Sequence, residues 1–493
     1  MNCKILTKYT SFILRNIFCW LVRNNHYFVI ALLYKMFAIK IKKNGNNSQA
    51  AVSGKITILA ISADKFRGDP ECLAQVSKFR VLTLHGNWVR RLVIAFTDKK
   101  LSLKEYINAE AGDDIYSLKE RINAFFDGFI SSLLKLIKVD CVITHNYRYM
   151  DDFPWVMSFT KKRIPHICLY REGLVAYDRA YVNLIDRHRQ FIGYPVTHII
   201  VQNQKAKDCF VESGFVTEEQ VSVFGALRMD NLLKQVNVGK GGPICKYKKR
   251  RKRVILFYFN FKMGLFGKGK GTLSEVEKIY GSEFSYVDEI WPHRYDLFRD
   301  LHISIIRLAQ KLPEVDFVIR PKRELIVKKN WNEYLGMVNE IDVDLSKLEN
   351  YTIDPDANTH DLILHSDVVI ALQTSTVLEA AIAGKPVIFP LFYNYKEARH
   401  FNDFCWRNNL DLFDVAESAE ELEALVVEGL EDSEIGKKTM EGRRELFKEW
   451  FSDLDGVALK KYSEIIEKVV ASAKIKEQHS QSKSIEHGLE KSF

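Results

Sequence analysis

Gln373-Thr374-Ser375-Thr376 places three hydroxyl side chains in a row between two apolar runs, Asp367–Leu372 and Val377–Ala383. The first run has strand length, and the second reads as a short helix. A turn at the carboxyl end of a strand and the amino end of a helix presents backbone N–H groups and the positive end of the helix dipole. That environment favours an anion. Thr374, Ser375 and Thr376 add hydroxyls that complete a phosphate cradle. Thr376-x-x-Glu379 also fits a capping box, in which both residues simply close the helix end. The two roles are compatible, because a capped amino end still presents its other N–H groups.

The elements that hold this turn can be read on either side of it. Gly384 suits a helix stop, Pro386 bars continuation, and Val387–Leu391 reads as a second buried strand. Strand, turn, helix and strand make a βαβ unit with parallel strands and a right-handed crossover. Upstream, Ile56–Ile61, Val139–Thr144, Ile164–Tyr170, His198–Gln202 and Val221–Phe224 are short runs rich in Val and Ile. Helical stretches, notably Asp114–Leu136 and Asn203–Ser213, separate several of them. Alternating strands and helices predict a parallel sheet covered on both faces, with ligands outside the carboxyl strand ends. That rule selects His145 to Arg148, then Arg171, Glu172 and Gly173, then Gly225, Arg228 and Asp230. A second series starts at Val254–Phe261 and continues through a helix, Leu297–Lys311, and a strand, Val315–Arg320. Gly264–Gly271 nearly fits a phosphate loop, but Gly271 stands where a magnesium-binding hydroxyl is needed. A flexible basic loop is expected there instead. Ser418-x-x-Glu421 opens a further helix.

The expected fold class is therefore α/β, with two tandem Rossmann-like doubly wound domains and a cleft between them. The expected boundaries are a basic amphipathic segment at 1–44, domains at 55–238 and 254–430, helices at 431–471 and a disordered tail at 472–493.

At 493 residues the chain is too long for one ordinary core. Its net charge of +9 is concentrated at the amino terminus and in Lys246–Arg253. The second block reads as a solvated linker face; no nucleic-acid module accompanies it. The eight cysteines lie far apart without a C-x-x-C pair, which fits a reducing compartment and favours neither a disulfide framework nor a metal site. In the first 44 residues Arg15, Arg23 and Lys35 interrupt the apolar residues, so no uncharged run is long enough to span a bilayer. Amphipathic helices with Lys and Arg beside Trp, Phe and Leu suit an anionic membrane surface, or else pack on the main body. The expected location is cytoplasmic, peripheral on the inner face of the cell membrane.

Four motifs carry a family resemblance. They are Ser366–Pro390 with its Asp-Val-Val-Ile strand, hydroxyl turn, Glu and Gly-Lys-Pro-Val; Phe317-Val-Ile-Arg-Pro321; Val223-Phe-Gly-Ala-Leu-Arg-Met-Asp230; and Arg171-Glu-Gly-Leu174. Across Pro165–Leu430 the chain resembles the GT-B glycosyltransferases of bacterial capsule and lipopolysaccharide synthesis. It is also similar to their relatives, the CDP-glycerol glycerophosphotransferases and the UDP-N-acetylglucosamine 2-epimerases. Two departures stand out: Lys322 replaces a histidine that relatives often carry, and the turn lacks the Ser-Gly-Gly usual in the epimerases.

The resemblance implies that Thr374, Ser375 and Thr376 hold the donor diphosphate and that Glu379 accepts hydrogen bonds from the donor ribose. Arg320 and Lys322 would neutralise phosphate as the nucleotide departs. Gly225 and Arg228 join the substrate-binding set, and Arg228 is also placed to pair with Asp230. No cofactor or metal is implied, the nucleotide sugar being a substrate. An inverting transfer needs a base, for which Glu172 comes first, His145 second and Asp178 third. Desolvation after a buried strand would raise the Glu172 pKa; the other reading is an ion pair with Arg171 or Arg179, and a lone histidine such as His145 is more often a hydrogen-bonded structural residue. The expected activity is transfer of a sugar from a nucleotide-sugar donor to a glycan or lipid-linked acceptor. The alternatives are polyol-phosphate transfer from a CDP-activated donor, 2-epimerisation of a nucleotide sugar, and a non-catalytic glycan- or nucleotide-binding scaffold.

Overall fold

A computed structural model describes residues 3–42, 55–97, 101–175, 178–238, 251–258, 293–321, 328–339, 343–451 and 453–490. The chain forms two compact units. One comprises Met1–Gly173, Asn183–Asp230 and Phe451–Phe493; the other comprises Leu174–Val182 and Asn231–Trp450.

In the first unit the Val- and Ile-rich runs become strands β2 (Ile56–Ile61), β4 (Cys141–Thr144), β5 (His166–Leu169), β6 (His198–Val201) and β7 (Val221–Val223). Two more join them, β1 (Ile39–Ile41) and β3 (Phe79–Leu84). Arg80 and Thr83 break the apolar run of β3, and Lys40 breaks that of β1, so neither reads as a strand in the sequence. The sheet order is β1-β3-β2-β4-β5-β6-β7, with β1 antiparallel to β3 and every other pairing parallel. The order reverses between β2 and β4, and the crevice outside their carboxyl ends is where such sheets bind ligands.

The basic amino-terminal segment belongs to this unit. Helices Cys3–Arg23 and Tyr27–Leu33 lead into a π-helical turn, Tyr34–Ala38, and then β1. Tyr34 is fully buried, with its ring 5.4 Å from Trp88 and 5.3 Å from Phe129 and its hydroxyl donating to the Trp88 carbonyl at 2.6 Å. Gly128, on the Asp114–Leu136 helix, lets Tyr27 approach: a Cβ there would lie 2.6 Å from Tyr27 Cζ.

The carboxyl-terminal region departs from the expected boundaries. Helix Lys437–Trp450 lies in the second unit, whereas helix Ala458–Glu490 returns to the first. Tyr462, Ile466 and Val470 of that last helix share one core with Ile58, Val81, Ile143 and Leu169. The disordered tail expected from 472 is corrected, because the helix continues to Glu490. That stretch has no proline, a single glycine at Gly488, and many Lys, Glu and Gln residues that favour helix.

The second unit holds β8 (Lys252–Tyr258), β9 (Val315–Ile319), β10 (Tyr351–Ile353), β11 (Val368–Leu372), β12 (Val387–Pro390) and β13 (Asp414–Ala416). Every pairing is parallel in the order β10-β9-β8-β11-β12-β13, which reverses between β8 and β11. This is the Rossmann order. The end of the basic block is part of the sheet rather than a linker: Arg251 and Arg253 lie 3.6 and 3.5 Å from the Asp316 carboxylate on β9. The Gly264–Gly271 loop and Lys322 lie outside the described residues. Helix Thr376–Ile382 is buried from Val377 onward, and Gly384 follows it with φ +72°, the left-handed stop expected from the sequence.

Candidate functional site

In the second unit, the fully buried β11 delivers Gln373 to the carboxyl edge beside the point where strand order reverses. Gln373 has φ +50°, a left-handed conformation uncommon for a side-chain-bearing residue. Its amide group holds it there, donating to the Asp403 carbonyl at 2.8 Å and accepting from the Cys405 N–H at 3.2 Å. The bend leaves Thr374, Ser375 and Thr376 half-buried at the edge. Thr374 Oγ1 and Thr376 Oγ1 are 3.0 Å apart, and Ser375, at the N-cap position, makes no side-chain cap hydrogen bond. The Thr374 and Thr376 hydroxyls therefore meet on either side of Ser375 at the turn.

The capping box does not form. Thr376 is the first helical residue, and Glu379 turns inward, its side chain 4% exposed with Oε2 3.2 Å from His360 Nε2. His360 sits on helix Thr359–Leu364, whose N-cap Asn358 accepts from the Asp361 N–H at 3.1 Å. Nothing in the sequence pattern links His360 to Glu379, because a complete strand lies between them. Arg320 directly follows β9; its N–H donates to the Leu256 carbonyl at 2.9 Å and its Nε to the Ala357 carbonyl at 3.4 Å. Arg320 and the hydroxyl turn thus follow β9 and β11, two strands of one sheet that flank β8.

The first unit has its own cluster at the β2/β4 reversal. His145 immediately follows β4 and is only 5% exposed, and neither ring nitrogen has a hydrogen-bond partner. Its ring packs 4.9 Å from Tyr149 and 5.6 Å from Phe66, and Lys65 Nζ lies 3.6 Å over the Tyr149 ring. Burial first, and then Lys65, Arg171, Arg148 and Arg67, push the His145 pKa down to about 3. The imidazole is neutral at ordinary pH, and gaining a proton among those cations is strongly disfavoured. His145 is accordingly a poor general base.

Glu172 follows β5 by three residues and pairs with Arg148, not with the Arg171 or Arg179 considered from the sequence. Its side chain is 44% exposed, so the desolvation expected for it is not realised. Arg171 instead reaches the Lys65 carbonyl at 3.1 Å and lies 3.8 Å from the buried Asp69 carboxylate. Gly225 has φ +78°, and its carbonyl accepts from the Tyr462 hydroxyl at 2.8 Å. Arg228 stacks 5.6 Å over the Phe451 ring. The Asp230 carboxylate accepts the N–H groups of Ala458 and Leu459 at 3.1 and 2.8 Å and so caps the last helix. Asp178 opens helix Asp178–Arg189 as an exposed residue and is not grouped with Glu172 and His145, belonging to the segment Leu174–Val182. Arg179, beside it, lies 3.8 Å from Asp403. Among the described residues no group of three or more His, Cys, Asp or Glu is arranged to hold a metal ion.

No family model matches this chain, and no curated protein sequence matches it. Among solved structures, the chain is similar to a Listeria monocytogenes protein assigned as a UDP-N-acetylglucosamine 2-epimerase, at 13% identity over 84% of this chain and 96% of that one, with TM-score 0.47. It is similar to an α,α-trehalose-phosphate synthase (UDP-forming) from Burkholderia vietnamiensis at 11% identity, covering 85% and 99% of the two chains, with TM-score 0.43. It is also similar to a variant of the wall teichoic acid polymerase TagF soaked with CDPG, at 12% identity over 96% and 99% of the chains, with TM-score 0.42. The strand orders of this chain by themselves give two tandem Rossmann-like doubly wound domains, the fold class of the GT-B enzymes.

Proposed function

We propose that the protein is a GT-B-type glycosyltransferase that transfers a sugar from a nucleotide-sugar donor to a surface-polysaccharide or lipid-linked acceptor. One observation carries this reading: three successive hydroxyl residues, Thr374, Ser375 and Thr376, stand half-buried beside the reversal point of the second sheet, with Thr374 Oγ1 and Thr376 Oγ1 3.0 Å apart. The hydroxyls would donate to the donor diphosphate. Arg320, with Lys322 beside it in the sequence, would stabilise the charge that builds on the departing nucleotide, so the reading calls for no bound metal.

In an inverting transfer the acceptor hydroxyl oxygen attacks the anomeric carbon, its proton passes to a carboxylate, and the bond from that carbon to the diphosphate oxygen breaks. Glu172 is the carboxylate assigned to this step, because it follows β5 at the carboxyl edge of the first sheet and is 44% exposed. Glu379 is too buried to meet a ribose as the side chain stands, and its role is to hold His360 at the edge.

The test is calorimetric binding of CMP, CDP, UDP and GDP to the full chain and to Ser375→Ala, followed by an assay of nucleotide release. One nucleotide should bind, the variant should bind it at least tenfold more weakly, and release from the matching donor should require acceptor. Failure of every nucleotide to bind would refute the reading. Acceptor-free isomerisation at C2 would establish the epimerase instead, and binding without turnover across an acceptor panel would establish a scaffold.

The same reading includes peripheral contact with an anionic membrane. Ile13, Leu14, Ile17 and Trp20 recur at helical spacing on one helix, Phe28, Val29 and Leu32 on the next and Met36 on the π-helical turn after it, and all are exposed. Val22, Ile30, Ala31 and Tyr34 take the buried positions. No Asp or Glu precedes Asp64 in the chain. No described helix is long and apolar enough to cross a membrane, so attachment would be at the surface. Sedimentation with phosphatidylglycerol vesicles should carry the protein down, and equal recovery with phosphatidylcholine vesicles, or with Trp20→Glu, would count against it.

A further inference from the structure

We infer that the carboxyl edge of the first sheet is an oxyanion site, built to hold a phosphate or carboxylate group carried by the sugar acceptor. This rests on the transfer reading, which places the donor diphosphate in the other unit.

Three of the four residues that leave β4, His145 to Arg148, each bury a polar group without a partner. They are both ring nitrogens of His145, Nδ2 of Asn146 and Nε of Arg148. His145 is 5% exposed and Asn146 is fully buried. A buried donor left unsatisfied costs about 1–3 kcal/mol, and native structures retain few of them. Here they fall within four residues, at the one place in the sheet where strand order reverses. Asn146 Oδ1 is already used, accepting the Arg148 N–H at 3.0 Å, which turns the amide nitrogen away to donate elsewhere.

The charges around these donors specify the ligand. The four charged neighbours that act most strongly on His145 are all cations: Lys65, Arg171, Arg148 and Arg67. They arrive from three strand ends. Lys65 and Arg67 follow β2, Arg148 follows β4 and Arg171 follows β5. Contacts fix them there: Lys65 packs on Tyr149, Arg171 bonds the Lys65 carbonyl, and Asp69 and Glu172 pair with Arg171 and Arg148. Lys65 also acts on Asp151 and Asp152, on the β4 side of the reversal. The imidazole stays neutral in this surrounding and keeps one N–H to donate. An oxyanion would satisfy the orphaned N–H groups of His145 and Asn146 while meeting the guanidinium and ammonium charges. A neutral hydroxyl would meet only the donors.

The test uses the full-length protein and three probes at low ionic strength: glucose 6-phosphate, glucuronate and glucose. UDP and CDP binding is measured alongside, as a readout of the other unit. Lys65→Met keeps the aliphatic stem over Tyr149 and removes the charge; Arg148→Gln does the same at β4. At least one sugar anion should bind, tightly enough that glucose is at least tenfold weaker. Each variant should lose at least tenfold in affinity for that anion while binding nucleotide as the wild type does. Salt should weaken the sugar anion and leave glucose unchanged. A preference for glucose 6-phosphate identifies a phosphorylated acceptor, and a preference for glucuronate a carboxylated one. Anions that bind no tighter than glucose, or that bind Lys65→Met and Arg148→Gln like the wild type, overturn the site. Anion binding that responds to the variants, in a protein that binds no nucleotide, would sink the donor reading while leaving this site in place.

Discussion

Glu379 Oε2 lies 3.2 Å from His360 Nε2, with the carboxylate side chain 4% exposed and the imidazole 17% exposed. A buried carboxylate is costly unless it is paired. The pair joins the helix behind the hydroxyl turn to helix Thr359–Leu364, which follows the Ala357 carbonyl that accepts from Arg320. An acid that fits a helix cap in the sequence is thus turned towards a neighbouring imidazole.

Breaking that pair should be measurable. Glu379→Ala is expected to destabilise the protein by about 2 kcal/mol in urea unfolding, and Glu379→Gln by less, since an amide can still accept from His360. The double variant with His360→Ala should show a coupling of about 1 kcal/mol. Additive single effects would mean that the two side chains do not support each other.

Asp230 accepts two N–H groups at the start of the last helix, joining residues 228 and 229 positions apart in sequence. Asp230→Ala should cost about 2 kcal/mol, near the upper end for the loss of a helix cap because the carboxylate is buried. Asp230→Asn should cost about half as much. Hydrogen exchange at Ala458 and Leu459 is the direct readout: unchanged protection in Asp230→Ala would rule out the capping role.

Acid should destabilise the protein well above the usual carboxylate range. Burial is the first cause lowering five histidines: His145, His188 and His302 to about 3, and His166 and His198 to about 4. The unfolded chain takes up protons near pH 6.5 that the folded chain refuses, so stability falls as pH drops from about 6.5 towards 4. Each such histidine contributes at most about 1.4 kcal/mol per pH unit. Asp152 works in the opposite sense. Burial raises it to about 6, so its contribution is present in acid and is lost as pH rises through 6. His166 Nε2 accepts from the Thr144 hydroxyl at 2.8 Å and Nδ1 donates to the Pro195 carbonyl at 3.2 Å. His166→Asn should make the decline between pH 6.5 and 4 shallower by up to one proton in urea midpoints. An unaltered slope would show that His166 is not held neutral.

Gly128→Ala should loosen the amino-terminal segment. The added Cβ would fall 2.6 Å from the Tyr27 ring, which itself packs 5.6 Å from Phe125. Overpacking of this kind costs about 1–3 kcal/mol. Limited proteolysis should release the first 42 residues faster from the variant than from the wild type. Equal rates would indicate that Tyr27 does not anchor the segment.

Local pattern was enough for much of this protein. The Ser366–Leu391 βαβ unit, the Asp114–Leu136 helix and the Gly384 stop follow from runs of Val and Ile, an apolar stripe and a residue tolerant of positive φ, all of which act within a few residues. The same patterning puts the hydroxyl turn and His145 at carboxyl strand ends. Tertiary structure decided what those positions mean. Strand order, and with it the reversal points at β2/β4 and β8/β11, comes from pairings between distant segments. The inward turn of Glu379 to His360, the choice of Arg148 as partner for Glu172 and the return of the last helix to the first unit have the same origin. Each is a contact between residues that no spacing rule connects, settled by which buried charges and apolar faces could be satisfied together.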